Sequence, residues 1–168
     1  EGTFHAVFDC LSLWDDSLQT VRPKAVSKQA RRAKREFPNK RLIVHYMQPH
    51  TPFIGEIGRN IGVGGWTMDR DVDPRESIWE RLRSGEIDVE KAWEAYRENL
   101  EIVLNEVTPL TEEFDGKSVI TSDHGNFFGE RQLPFPTGKR FGHPYGVYAD
   151  PSVKVPWVEI PDEVRPSI

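Results

Sequence analysis

The chain has 168 residues, 37% hydrophobic and 11% aromatic, which is enough for one packed domain and short for two, so residues 1–168 are read as a single domain. Its formal charge is −5, with acids and bases interspersed, which excludes the basic stripe that nucleic acid needs and leaves any anionic substrate to a local site. The single cysteine, Cys10, excludes an internal disulfide and fits a reducing compartment such as the cytoplasm, and no apolar run approaches the ~20 residues of a membrane span.

The chain opens on "EGTFHAVFD", which has neither an initiator Met nor the basic and apolar regions of a signal peptide. With the closing "PDEVRPSI", both ends read as cut from something longer. "PKAVSKQARRAKRE", Pro23 to Glu36, starts with Pro at a first helical position and is rich in Ala, Lys and Arg, which predicts an exposed helix. "RLIVHYMQ", Arg41 to Gln48, is a short apolar β-branched run after a turn signal and predicts a strand buried on both faces. The Gly-rich "EIGRNIGVGGWTMDRD" then reads as a surface loop or lid.

In "DPRESIWERLRSG" Asp73 can cap a helix, Pro74 suits its first turn, Glu76 stands where a capping-box acid belongs and Gly85 stops it. A longer helix begins near Asp88, with Val89, Trp93, Tyr96, Leu100, Val103, Leu104, Val107 and Phe114 on one apolar face and Pro109 kinking or interrupting it. After the turn "FDGK", "SVIT" predicts another buried strand, and a third is expected near 153–160. Strands alternating with helices predict an α/β domain whose mostly parallel sheet is sandwiched by helices. The Gly/Pro-rich stretch between the last two strands is long for a connection, and loops of that length are usually functional.

Ligands of open α/β sheets bind beyond the carboxyl ends of the strands. One predicted strand delivers His45 and then Gln48-Pro49-His50; another delivers Ser122-Asp123-His124-Gly125-Asn126; "FGHPYG" adds His143. A carboxylate and a neutral imidazole brought together by a turn at Gly125 suit a divalent cation such as Zn or Mn. The same residues also suit a turn capped by Asp123 with His124 filling a half-buried gap. His50 and His143 equally fit exposed turns, and His45, alternating within a strand, reads as a core histidine. Asp15-Asp16 read as solvated turn residues, and Cys10 as a small buried apolar one.

Three motifs in order, "HYMQPHTPFIG", "VITSDHGNFFGER" and "GHPYGVYADPSVKVPWV", together with the "YRENLEIVLNEV" helix, resemble the later half of the alkaline phosphatase-like superfamily, especially its sulfatase-like branch. The resemblance covers roughly residues 41–160. It implies that Asp123 and His124 ligate a divalent metal (Mn, Zn, Mg or Ca), that His50 and His143 lie around a bound phosphate or sulfate group, and that Lys139 or Arg140 contacts that anion. It further implies an alkaline phosphatase/sulfatase-like fold incomplete at its N-terminus, with the nucleophile segment absent from residues 1–40. The substrate class would be a small-molecule, glycan-linked or lipid-linked phosphate or sulfate ester. Two-metal relatives such as the cofactor-independent phosphoglycerate mutases carry an Asp and then a His four residues on. Here His50 is followed by Ile54, which implies a single-metal centre. The alternative is a non-catalytic domain of the same kind that binds an anion or metal.

Overall fold

A computed structural model describes residues 2–62, 77–131 and 138–162. Near the N-terminus Trp14–Asp15 (β1) pairs antiparallel with Thr20–Val21 (β2). The turn between them is closed by the Asp15 carboxylate, which accepts from the Ser17 and Leu18 amides and pairs with Arg22 at 2.6 Å. The Ser17 hydroxyl and then Arg22 hold that carboxyl at about 2, so Asp15 is the turn residue its sequence context indicates.

Pro23–Glu36 (α1) forms as read, with Pro in its first turn. It buries Val26, Ser27, Ala30 and Ala33, and a fork from Arg31 to Glu113, 2.6 and 2.7 Å, ties it to the far end of the longest helix. That pair is solvent-exposed, so it orients more than it stabilises.

The run Arg41–Gln48 forms no strand. Residues 41–47 belong to no helix or ladder among the described residues, and Ile43 is 82% exposed. β-branched composition favours extended backbone, but a buried strand also needs neighbours, and none lies beside it among the described residues. His45 is exposed rather than a core residue. The expected loop from residue 56 starts instead as a helix, Glu56–Ile61 (α2). The rest of that stretch, with Asp73, Pro74 and Glu76, lies outside the described residues. Ile78–Ser84 (α3) is capped by Ser77, whose hydroxyl accepts from the Glu80 amide at 3.3 Å, and stops at Gly85 as expected.

Val89–Glu113 (α4) is capped by Asp88, which accepts from the Glu90 and Lys91 amides. The helix runs through Pro109 rather than ending there. Its buried stripe is Ala92, Ala95, Asn99, Val103 and Leu110; of the large apolar residues in the sequence pattern Val103 belongs to it, while Trp93 is 46% exposed. Small side chains at 92 and 95 let α2 lie close against α4. Phe53, Ile61, Ile78, Leu82 and Ile87 close the core around them, each burial contributing roughly 1.5–3 kcal/mol.

Ser118–Thr121 (β3) forms where expected but is not buried, its residues alternating between half-buried and exposed, and its partner is Trp157–Ile160 (β6), antiparallel, with Val119 opposite Glu159. Phe127–Phe128 (β4) pairs antiparallel with Phe141–Gly142 (β5), and Asp150–Val153 (α5) occupies the start of the span read as a last strand. The expected mostly parallel sheet sandwiched by helices is therefore overturned: the described strands form two-stranded antiparallel ribbons. Apolar runs disclose that strands form but not their direction, which depends on how the chain returns. No helix among the described residues is long and apolar enough to cross a membrane.

Candidate functional site

The β4–β5 ribbon assembles the candidate site. Its register sets Phe127 opposite Gly142, which places the preceding Asn126 beside the following His143. Phe127 and Phe141 are buried, and Phe128 fits edge-on against Trp79, Trp93 and Tyr96 at ring separations of 4.9–5.3 Å. Gly142, at φ 70, lies under Trp79 so closely that a Cβ would meet the indole at 3.0 Å. This packing fixes where the chain enters and leaves the site.

Between β3 and β4 the chain passes through Asp123-His124-Gly125. The Gly125 amide donates to the Ser152 carbonyl of α5 at 2.9 Å, and a Cβ at 125 would stand 2.2 Å from the Pro151 carbonyl oxygen. Glycine is thus what lets α5 press on the turn from behind. The Asp123 carboxylate accepts from the His124 amide at 3.0 Å, a bond to the next residue rather than a cap on the turn.

Three histidines from separate segments converge. The His124 and His143 rings lie 4.3 Å apart between centroids, and His50 and His143 5.8 Å apart. Nδ1 of His50 lies 2.7 Å from the Thr51 carbonyl and Nδ1 of His124 3.0 Å from the Gly125 carbonyl. Carbonyl oxygens only accept, so in the neutral rings both Nδ1 atoms are the donors and both Nε2 atoms keep their lone pairs. His143 Nδ1 donates to the Asn126 amide oxygen at 3.0 Å. Each imidazole is therefore held by its Nδ1 side with Nε2 available, the arrangement usual for histidines that ligate a metal or exchange a proton with a bound group.

Loss of water around His143, then the charges of His124 and His50, hold its pKa below the ordinary histidine value, with Asp123 pulling the other way. Burial raises the Tyr96 hydroxyl, partly offset by the bond from Asn126. Both effects favour the neutral forms of these two side chains.

Asp123 Oδ1 and His124 Nε2 are 3.9 Å apart, within reach of one cation to which each would stand at ~2.0–2.2 Å. A carboxylate oxygen with a neutral imidazole nitrogen fits Zn or Mn in donor type. Among the described residues no group of three His, Cys, Asp or Glu side chains is placed to hold a metal ion, so the pair offers two ligands and not a full set. Lys139 and Arg140 lie just before β5. The Arg140 backbone bonds Gly129 and Glu130 at 2.8 and 3.0 Å, and its Nε is buried without a hydrogen-bond partner among the described residues, a donor that an anion would satisfy.

Asn126, Tyr96 and Asn99 were not assigned roles from sequence. Asn99 has a readable signal, a polar residue within the apolar spacing of α4; Asn126 stands in the Asp-His-Gly-Asn motif; Tyr96 looks like any core aromatic. Comparison with family models, with curated proteins and with solved structures finds no match.

Proposed function

We propose that the chain forms part of a metal-dependent hydrolase or transferase acting on phosphate or sulfate esters, with Asp123 and His124 as two ligands of a divalent cation. The observation that carries this reading is the convergence of His50, His124 and His143 with every Nδ1 occupied by an oxygen acceptor. Such a cation neutralises charge on the anionic group when bound. His50 and His143 flank that group, and a neutral Nε2 on either can take or return the proton of an ester oxygen. Arg140 Nε and Lys139 supply cationic donors to the anion. The motif resemblance supports the same assignment. The nucleophile is expected from outside this sequence.

A second reading is favoured by the buried Arg140 Nε, which lacks a hydrogen-bond partner among the described residues: a domain that binds an anion without turning it over. Calorimetric titration of Mn and Zn, with and without inorganic phosphate, into the chain and into its Asp123→Ala and His124→Ala variants separates the two. The enzyme reading expects metal binding that weakens at least about tenfold in either variant. Phosphate binding with no dependence on metal or on Asp123 would replace it with the anion-binding reading.

A further inference from the structure

The segment that carries His50 is fastened to α4 by two consecutive side chains. Asn99 is fully buried, and its amide nitrogen lies 3.1 Å from the Pro49 carbonyl, 3.1 Å from the His50 carbonyl and 3.3 Å from the Pro52 carbonyl. Its amide oxygen accepts from the Ile54 N–H at 3.1 Å. Glu98 accepts from the Glu56 and Ile57 amides, both at 2.9 Å, closing the N-terminus of α2. A turn with no regular secondary structure leaves its backbone groups in need of partners, and here one side chain meets several of them at once.

We infer that Asn99 is a positioning residue for His50: by gathering the carbonyls on both sides of the histidine it fixes where that imidazole stands relative to His143. The inference rests on His50 belonging to the proposed site. A carboxylate at 99 would still accept from Ile54 but would repel the three carbonyls, because an ionised carboxylate offers no donor. An apolar residue could fill the space but could not hold the turn. Tyr96, one helical turn earlier on α4, packs edge-on against Phe128 of β4 at 5.2 Å between ring centroids, so the same helix touches both the His50 turn and the ribbon that leads into His143.

The test is proton NMR of the whole chain, read as nuclear Overhauser contacts between imidazole protons. In the parent protein, contacts His50–His143 and His124–His143 are expected. Asn99→Asp should abolish the first and keep the second. Asn99→Ser, which is smaller and uncharged and lacks the forked amide, should do the same and serves if the Asp variant does not fold. Val103→Ala, a buried apolar truncation one turn further along α4 with no polar atom to hold the turn, controls for a merely structural loss and should keep both contacts. Persistence of the His50–His143 contact in a folded Asn99 variant, or its loss in Val103→Ala, overturns the inference. None of these outcomes depends on metal or turnover, so they stand or fall apart from the proposed activity.

Discussion

Residues 41–47 and 49–57 are neighbours in sequence and opposites in how they are held. The first is apolar and β-branched, yet it has no ladder partner among the described residues and leaves Ile43 open to water. The second carries prolines and a histidine, yet Asn99 and Glu98 bond its backbone and Phe53 anchors it in the core. The difference teaches that the candidate site hangs on a helix and a two-stranded ribbon, not on the carboxyl edge of a sheet.

The sharpest way to break that contrast is at Asn99. Asn99→Ala leaves the Ile54 N–H and several carbonyls unpaired, and it should cost roughly 2–4 kcal/mol in urea denaturation. A loss under about 1 kcal/mol would mean the turn holds itself. Gly125→Ala comes next: its Cβ collides with the Pro151 carbonyl, so a cost of about 1–3 kcal/mol is expected. Chemical-shift changes should then concentrate at His124 and α5.

The pH dependence should be smaller. His143 binds its proton more weakly folded than unfolded, so its contribution is complete above the ordinary value of about 6.5 and is lost as pH falls through the lower folded value. Urea midpoints at pH 7.5 and 5.5 should therefore differ more for the parent than for His143→Gln; equal differences would contradict the environment described for this ring. The smallest effect is expected at Ile43→Thr, within about 0.5 kcal/mol. A cost above 2 kcal/mol would show that residues 41–47 are buried as a strand after all, and would erase the contrast.

What could be read in advance follows the range of the forces involved. α1, the start of α4 near Asp88 and the Gly85 stop are local, set by residues within a turn or two, and they form as read. The Asp123-His124 pair and the involvement of His50 and His143 could be nominated from motifs, and the structure does gather the three imidazoles. Strand direction could not be read: "SVIT" discloses extended backbone, while its antiparallel partner lies some 40 residues on. Nor could the start of α2 be read, since its Gly58 lowers helix propensity and only packing against α4 outweighs this. On α4 the apolar spacing finds Val103 but not Ala92 and Ala95, because bulky side chains mark the rim of a close helix contact and alanines its centre.

The central claim is that three imidazoles share one site, each tied at Nδ1 and open at Nε2. Long-range nitrogen–proton NMR on the histidine side chains at pH 8 tests it most directly. The account predicts the Nδ1–H tautomer for His50, His124 and His143 together, while the exposed His45 shows the mixture of an untethered ring. Nε2–H tautomers at any two of the three would contradict it, because the nitrogens meant to face cation and ester would already be occupied.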